Sequence, residues 1–541
     1  MPSLPPKHYA VLGGGISGLT TAWYLMRGAP PETKITLIEA ANKLGGWIQT
    51  TRVGEEQVLF EQGPRTLRPS GLSGLATLDM IIQLKLTSSF LGISSSHSAS
   101  KKRYIYYPDK LNELPSSFFG ALTSLFTLPV LKGIIPGLLR EPFVPKRKLH
   151  DNDKDFDDES IHSFVSRRIN SHIADNMISA LIHGIYAGDV TKLSVRSTFP
   201  LLYYSERKYG SLLKAMLVKS NKKNNDNIIP ISHQDQILQR TLVEQNKELL
   251  KSVQGISMYS FRDGVEELVS AIESELAASE KVEIIRGQAV KNLSFEDEIQ
   301  TIQGKRIDGI DHVISTIPSF ELKKILYHSK SPSLPHLDYN PAVTVAVVNL
   351  AYDRPKILPV IGFGYLIPQT TPNNLNYGLG VVFDSCAIPE QDPKAPTVTK
   401  LTVMMGGHYY DDNNIDMENM SDEEILSQAQ NLVQSHLDIT AAPIHALVRL
   451  QKNCIPQYYV GHYGRMKQLH EAIKSNERYA GKLSVTGASY WGVSVNDCVL
   501  NARKLVENLL SNDFKDKETM GGTRKIITGL ERVEEEENIS F

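Results

Sequence analysis

The chain has 541 residues, too many for one compact hydrophobic core, so we expect two or three domains. Apolar residues make up 41% of it and charged residues 22%, the balance of an ordinary globular protein. The net charge of -2 and the pI near 6.7 argue against a nucleic-acid-binding protein, whose binding surface is strongly basic.

The three cysteines, Cys386, Cys454 and Cys498, are far apart in the sequence and form no CxxC pair. This spacing excludes the usual patterns of an iron–sulfur cluster, a structural zinc site or a disulfide framework, and predicts buried free thiols and no metal site. No secretory signal is visible. Because Met1–Ala10 is short and the fold begins at once, we expect no cleavable transit peptide.

The N-terminus carries the pattern of a dinucleotide-binding module. A short apolar run, Tyr9–Leu12, predicts a buried strand, and helical spacing follows the glycine-rich loop. In such a loop, glycines allow a tight turn and a close approach of the backbone to a pyrophosphate at the helix N-terminus. A second predicted strand, Lys34–Ile38, ends at Glu39, where a carboxylate would bind ribose hydroxyls. The loop residues are Gly13, Gly14, Gly15, Ile16, Ser17 and Gly18.

Two further segments favour a flavin over a nicotinamide. A second glycine pair precedes Trp47, and Phe60–Thr66 follows it, a pattern similar to the extended FAD-binding sequence of amine-oxidase-like flavoproteins. Near the C-terminus, Leu483–Ala488 predicts a strand, and Trp491–Asp497 leads into a helix whose N-terminus would stabilise negative charge on a reduced flavin. Taken alone, this last segment is better explained as an ordinary C-terminal helix capped by Asn496 or Asp497. Together with the N-terminal pattern it favours FAD.

Phe118–Leu139 is the one segment that could contact a membrane, because Lys132 is its only charged residue. Prolines and glycines divide it into short pieces. Taken alone, it favours a buried helix pair over a monotopic apolar patch bordered by Lys146–Lys148, and a spanning helix is the least favoured alternative.

The predicted fold is α/β, with a doubly wound (Rossmann-type) FAD-binding module, an antiparallel-sheet substrate domain and a helical membrane-binding lobe. Residues 219–256 are rich in Asn, Lys and Gln and predict a polar surface insertion, partly helical or disordered, and the tail is polar and acidic. The expected units are the FAD module in three pieces (7–89, 257–325 and 451–511), the helical lobe (90–218), the insertion (219–256), the substrate sheet (326–450) and a disordered tail (512–541).

Across most of residues 8–508 the chain resembles the protoporphyrinogen oxidase family. Many flavoproteins share the first motif, GGGISGL, but the others together are specific to this family. They are GPRT at 63–66, HGIYAGD at 183–189, AVVNL at 346–350, GFGYLIP at 362–368, VFDS at 382–385, KNCIPQY at 452–458 and GASYWGVSVNDC at 487–498.

The resemblance implies FAD-dependent oxidation of protoporphyrinogen IX to protoporphyrin IX by molecular oxygen, with release of hydrogen peroxide. It places FAD contacts on the loop from Gly13 to Gly18 and at Glu39. The other implied contacts are Trp47, Gly63, Pro64, Arg65, Thr66, Val290, Ala488, Val493, Ser494 and Val495.

On the substrate side the family's carboxylate-binding arginine matches Arg103, and a dianionic substrate gives a physical reason for a bidentate guanidinium. Without the resemblance, Arg103 belongs to a solvated basic cluster, and the apolar candidates are ordinary sheet core. The family's macrocycle contacts match Gly184, Phe363, Leu366, Val382 and Met404.

No side chain is predicted as a general base. His183 departs from the family pattern, since many relatives have arginine there, so the surroundings of Gly184 are an open question. The insertion and the tail also exceed the compact family pattern.

The resemblance further implies a peripheral, monotopic protein of the mitochondrial inner membrane, a homodimer and hand-over of product to ferrochelatase, without a nucleic-acid partner. It raises the monotopic interpretation of Phe118–Leu139 above the buried one. The alternatives are a related flavin amine oxidase or desaturase, which should show an aromatic cage that is not identified here, and a non-catalytic flavin-fold escort protein, which should lack the intact C-terminal FAD closure.

Overall fold

Strands and helices alternate at the N-terminus, and the computed structural model describes residues 7–115, 124–125, 127–147, 156–220, 228–229, 231–294, 298–328, 332–392, 397–415, 419–515 and 525–537. The strands are β1 (His8–Leu12), β2 (Lys34–Ile38), β3 (Thr50–Val53), β4 (Val58–Glu61), β5 (Phe90–Ser94), β6 (Tyr104–Tyr106), β7 (Leu111–Glu113), β8 (Ile256–Phe261), β9 (Val282–Ile285), β10 (Val290–Ser294), β11 (Glu298–Thr301), β12 (Arg306–Asp308), β13 (His312–Ser315), β14 (Ala342–Tyr352), β15 (Gly364–Leu366), β16 (Gly378–Val382), β17 (Thr399–Gly406), β18 (His445–Pro456) and β19 (Leu483–Val485).

The helices are α1 (Ile16–Gly28), α2 (Gly71–Gln83), α3 (Ser98–Lys101), α4 (Ile134–Arg140), α5 (Ile161–Arg168), α6 (Ser171–Ile173), α7 (Ser179–Tyr186), α8 (Val195–Thr198), α9 (Pro200–Tyr209), α10 (Leu212–Ser220), α11 (His233–Gln245), α12 (Lys247–Ser252), α13 (Glu266–Ala277), α14 (Ser319–His328), α15 (Asp384–Ala387), α16 (His408–Asp412), α17 (Asp422–Leu437), α18 (His462–Ser475), α19 (Val495–Lys515) and α20 (Arg532–Glu537).

The first module is built on a five-stranded parallel sheet in the order β19-β13-β1-β2-β9. Every residue of β1 is buried, because a central parallel strand is covered on both faces. Helices α1, α13 and α19 cover one face. The meander β10-β11-β12 with α14 and α18 covers the other. This is the doubly wound arrangement that the sequence predicts, and its pieces come from separate parts of the chain.

The second sheet has seven strands in the order β18-β14-β17-β16-β15-β6-β7, and α17 packs on one face of it. It is mixed, since β15 and β6 run parallel, so the predicted purely antiparallel sheet is corrected. The predicted boundaries also shift. Strands β6 and β7 come from the stretch assigned to the helical lobe, because the run Tyr104–Tyr106 has strong β propensity, and β18 continues past residue 450.

The helical lobe, α4 to α10, is held together by a fully buried ionic cluster. Arg168 donates from Nη1 to Glu141, 3.1 Å away, and also donates to Glu206. Glu141 in turn accepts the backbone N–H of Leu212 and the hydroxyl of Ser211. A buried cation is tolerated only when it is paired in this way, so the cluster fixes α4 against α10. None of the described helices has both the length and the apolar character needed to cross a bilayer.

Described parts of the two predicted polar segments pack on the rest of the molecule: the insertion follows the partly helical alternative, and the prediction of a disordered tail is corrected for residues 525–537. In the insertion, α11 packs on α2, and Asn246 donates to Asp79 at 3.0 Å. In the tail, residues 525–537 are packed on the first module, where Leu530 is buried and the N–H of Val485 donates to Thr528 O. Composition alone does not predict this packing, because a few buried apolar side chains among many polar ones are enough to hold a segment against the core.

Candidate active site

A glycine-rich turn joins β1 to α1 and forms the wall of a deep cavity. Gly13 has a φ of +100°, which an L side chain rarely adopts. A Cβ at Gly18 would lie 1.8 Å from the carbonyl oxygen of Gly13. The N-terminus of α1 therefore presents free N–H groups to the cavity, as a phosphate site requires.

Glu39 lies at the end of β2 beside this turn. Its carboxylate accepts the N–H of Gly14 at 2.6 Å and the N–H of Ala41 at 2.7 Å. Both bonds orient the carboxylate along the cavity wall, which is the position that would bind ribose hydroxyls.

The cavity has a volume of about 920 Å³, at the upper end of the range for cofactor sites. It runs from Glu39, past the turn and the N-terminus of α19, to Arg449 and Pro456 in β18. The structure brings most of the predicted cofactor residues together in its lining. They are Gly13, Gly15, Ile16, Ser17, Glu39, Trp47, Pro64, Val290, Ala488, Val493 and Val495.

The remaining predicted cofactor residues lie behind that lining and shape it. Gly14 and Gly18 form the turn, and Gly63 packs so closely on Trp47 that a Cβ would lie 2.1 Å from its carbonyl oxygen. Ser494 caps α19, where its hydroxyl accepts the N–H of Asp497 at 3.1 Å. Arg65 and Thr66 line a separate small cavity.

Arg65 forms an ion pair with Asp384, at 3.0 Å, that joins the first module to the second sheet. Beside it, burial raises the pKa of Glu61 to about 7, against hydrogen bonds from Thr50 and from the N–H of Val265. Lys400, also buried, donates to Asp392 at 2.6 Å. The side chain of Arg65 thus connects the two units rather than facing the cofactor cavity.

Sequence reasoning missed several polar residues in the lining. Asn453 and Cys454 lie within the motif KNCIPQY, which was noted without a role for either side chain. Arg449 is an exposed residue of β18 and lines the same cavity. The others are Lys43, Gln49, Gln288, Glu321 and Lys324.

A flavin dinucleotide fits this cavity. Gly15 and Gly46 both line the cavity, and their backbones lie in contact, because a Cβ at Gly46 would lie 3.3 Å from Gly15 Cα, so no side chain narrows the cavity where the pyrophosphate would lie. Glu39 is available at one end for ribose hydroxyls. At the other end, Arg449 and the N-terminus of the 21-residue helix α19 are placed to stabilise negative charge on a reduced ring.

The predicted substrate residues gather on one face of the second sheet. Leu366 pairs with Gly380, which pairs with Met404, and Val382 pairs with Gly364 in the adjoining row. The residues between them point to the opposite face and pack in the core against α17. They are Tyr365, Val381 and Val403.

Gly184 completes this arrangement, which we call the sheet-face slot, and Phe363 lies beside it, packed against a separate apolar cluster that contains Ile93, Met258 and Ile388. A Cβ at Gly184 would lie 2.9 Å from Leu366 Cδ2, so α7 lies directly against the sheet there. The N–H of Phe363 donates to Lys102 O at 3.0 Å, which places Phe363 next to Arg103. The slot therefore joins apolar side chains, one backbone glycine and an arginine from distant parts of the chain.

Arg103 is exposed, and the neighbouring Arg68 adds to the positive potential around it. Burial of part of the side chain and the Arg68 guanidinium lower the pKa of Arg103. Two neighbouring guanidiniums repel each other and favour a bound anion. The sequence does not predict Arg68 as a site residue, because nothing in GPRTLR distinguishes a substrate contact from a surface residue.

A two-module protein with a dinucleotide cavity facing an apolar slot is the architecture of a flavin-dependent oxidoreductase. Comparisons with known proteins agree. The model of the family described as flavin containing amine oxidoreductase matches residues 16–510. Protoporphyrinogen oxidase from Schizosaccharomyces pombe is 38% identical over 514 residues, covering 93% of this chain and 98% of that protein. The human protoporphyrinogen oxidase is 34% identical over 505 residues, with the same coverage.

A solved structure from Exiguobacterium sp. 255-15 has a TM-score of 0.71 at 22% identity, and the match covers 94% of this chain and 100% of that one, which supports the fold. The chain belongs to the flavin-containing amine oxidoreductases and, within them, to the protoporphyrinogen oxidase family. Its cofactor is FAD, and it is an FAD-dependent oxidoreductase.

Proposed function

We propose that this protein oxidises protoporphyrinogen IX to protoporphyrin IX and passes the electrons to molecular oxygen. The observation that carries the proposal is the sheet-face slot, which places an arginine at one end of an apolar surface built for a flat ligand. The names of its relatives supply the substrate class.

The overall reaction removes six hydrogens from the porphyrinogen and reduces three molecules of oxygen to three of hydrogen peroxide. Bound FAD supplies a two-electron acceptor that oxygen can reoxidise. Arg103, with Arg68 beside it, holds a propionate carboxylate of the substrate. Leu366, Val382 and Met404 exclude water from the macrocycle, and Gly184, whose missing side chain lets α7 lie against Leu366, closes the slot from the helix side.

Aerobic turnover tests the proposal. We expect porphyrin fluorescence to grow with an oxygen uptake of three molecules per porphyrin, and catalase to return half of that oxygen. The controls are a primary amine and a porphyrinogen with four propionates, which should be poorer substrates. Rapid oxidation of the amine with no porphyrin formed would establish the amine-oxidase alternative.

We further propose that the helical lobe attaches the protein to a membrane surface without crossing it. Four side chains support this: Leu139 and Phe143 are 71% and 84% exposed, and Met216 and Leu217 are 67% and 70% exposed. The segments that bear them are in contact, and we infer that the four side chains form one apolar patch near Arg140. Residues 118–123 and 126 of the predicted membrane segment lie outside the described residues.

Flotation with vesicles of phosphatidylcholine and an anionic phospholipid checks this attachment. Leu139→Ser with Phe143→Ser should move the protein to the soluble fraction, whereas Leu375→Ser, at a residue 80% exposed elsewhere, should not. Equal flotation of all three proteins would contradict the patch. A location on the mitochondrial inner membrane and a homodimeric state complete the proposal, and fractionation of cells and the native mass in detergent test them.

A further inference from the structure

A buried chain of hydrogen bonds lies behind the sheet-face slot. His183, at the end of α7, is 2% exposed, and His408, at the start of α16, is 4% exposed. Nδ1 of His183 lies 2.6 Å from the carbonyl oxygen of Ile367, and its Nε2 lies 3.1 Å from Nε2 of His408. Nδ1 of His408 lies 2.8 Å from Oδ2 of Asp412. We call these three residues the histidine relay.

The three hydrogen bonds of the relay can form at the same time only if one of the two histidines is protonated. The pair then carries one proton more than two neutral imidazoles. A carbonyl oxygen accepts and cannot donate, so Nδ1 of His183 carries a hydrogen and its Nε2 is the acceptor. Nε2 of His408 must then donate to it. Because an ionised Asp412 also only accepts, Nδ1 of His408 needs a hydrogen as well, and His408 is an imidazolium.

The surrounding charges favour this assignment. Burial and the neighbouring His408 lower the pKa of His183 to about 3, which leaves the shared proton on His408. Burial would raise the pKa of Asp412, but hydrogen bonds from His408 and Lys192 outweigh it and lower that pKa. Lys192 lies 2.6 Å from Asp412 Oδ1 and 3.7 Å from Asp189, between the two carboxylates.

The charges that face His408 therefore favour a cation at this position. His183 faces it from α7, and Asp189 and Lys192 face it from the segment after that helix. On its own helix, Asp412 accepts from it, and burial together with Asp412 raises the pKa of the neighbouring Asp411. Two cations, His408 and Lys192, meet the carboxylates of Asp189, Asp411 and Asp412. Loss of one His408 proton would leave two lone pairs facing each other, either 3.1 Å apart at Nε2 of His183 or 2.8 Å apart at Oδ2 of Asp412.

The relay joins three elements that carry slot residues. His183 precedes Gly184, and its ring holds Ile367, which follows Leu366. The N–H of His408 donates to Ala187 O at 2.8 Å, which fixes the end of α7 to the turn that follows Met404 and β17. A change in the relay therefore moves Gly184 relative to Leu366 and Met404, where contacts are already tight.

We propose that His183, His408 and Asp412 are positioning residues, and that the proton on His408 holds the sheet-face slot in its substrate-binding shape. The inference rests on the proposed porphyrinogen oxidation. It assigns a role to His183, the position where the sequence departs from its family. It predicts that raising the pH weakens substrate binding without releasing FAD.

The test is the pH dependence of KM and kcat for protoporphyrinogen, from pH 6.5 to pH 9, with flavin absorbance and the thermal midpoint as checks on cofactor and fold. In the wild-type holoenzyme KM should rise about tenfold across this range, the equivalent of one charge-assisted hydrogen bond, while kcat at saturation changes little.

Asp412→Asn is the decisive variant. The amide oxygen at position 412 can still accept from Lys192, and the amide N–H can donate to the unprotonated Nδ1 of a neutral His408. In this variant all the hydrogen bonds of the relay can form with both histidines neutral. The KM for protoporphyrinogen should therefore change little with pH. Asp411→Asn removes a carboxylate one residue away that forms no bond to the ring in the described structure, and its KM should rise with pH as in the wild type.

The possible failures are distinguishable. Absence of porphyrin formation at every pH contradicts the proposed function itself. Turnover with a wild-type KM that does not change with pH overturns the relay alone. The relay is also overturned if Asp411→Asn and Asp412→Asn flatten the profile equally, because a general electrostatic effect would then account for it.

Discussion

The cofactor cavity and the sheet-face slot are built from different kinds of sequence information. The cavity is made largely of backbone at the ends of parallel strands, where Gly13 and Gly18 permit contacts that no side chain could make. The slot is made of ordinary side chains, such as Leu366 and Met404, that face one another only because three strands pair in a particular register. The first depends on local geometry and the second on long-range pairing.

This difference explains what could be predicted from the sequence. The turn, Glu39 and the strand β2 follow from local patterns, because glycine spacing and apolar runs act over a few residues. The mixed order of the second sheet does not, since no local signal shows that Tyr104–Tyr106 pairs with a strand 260 residues later. The slot residues could be named only through the family resemblance.

The same reasoning accounts for the missed features. His183 and His408 are 225 positions apart, and only the fold brings their rings together. The tail was expected to be solvated because of its acidic run. In the structure, hydrogen bonds from Lys474, His470 and Lys525 outweigh the effect of burial and lower the pKa of Glu534 to about 2.

The largest expected effect comes from a substitution in the cofactor cavity, the region built mainly from backbone. Gly18→Ala places a Cβ 1.8 Å from Gly13 O, so we expect the first module to lose about 4 kcal/mol and the protein to lose its FAD. The ratio of flavin to protein absorbance after purification measures the loss. Gly304→Ala, at a turn with open space around it, should retain FAD, and equal retention in both variants would contradict the tight turn.

The next largest effect distinguishes substrate binding in the sheet-face slot from FAD binding in the cofactor cavity. Arg103→Ala should raise KM for the porphyrinogen roughly 10- to 100-fold, the range for a hydrogen bond to a charged group, with flavin content unchanged. Steady-state kinetics with flavin absorbance measure both. Arg306→Ala, at a side chain 67% exposed and far from the slot, is the matched control. Loss of FAD in Arg103→Ala would show that the arginine is structural.

The smallest effect concerns the junction between the two regions. Glu61 has a folded pKa of about 7, above its ordinary value of 4.5, so the folded state holds the proton more tightly and stability falls as the pH rises from 4.5 to 7. The free energy of unfolding of Glu61→Gln should therefore exceed that of the wild type by about 1–2 kcal/mol at pH 8, and the two should differ little at pH 4.5.

Denaturant unfolding at several pH values measures this gain. Glu280→Gln, at an exposed position, is the control and should show little pH-dependent difference from the wild type. A Glu61→Gln variant that is destabilised by the same amount at every pH would mean that the carboxylate is bound as an ion by Arg65 and Lys400.

Anaerobic single-turnover mixing of the FAD-loaded protein with protoporphyrinogen IX tests the central claim most directly. We expect the flavin absorbance of the wild type to bleach within one mixing experiment, more slowly in Arg103→Ala at low substrate, and porphyrin fluorescence to appear in full when air is admitted. A flavin that stays oxidised with the porphyrinogen but bleaches with a primary amine would contradict the assignment of the sheet-face slot.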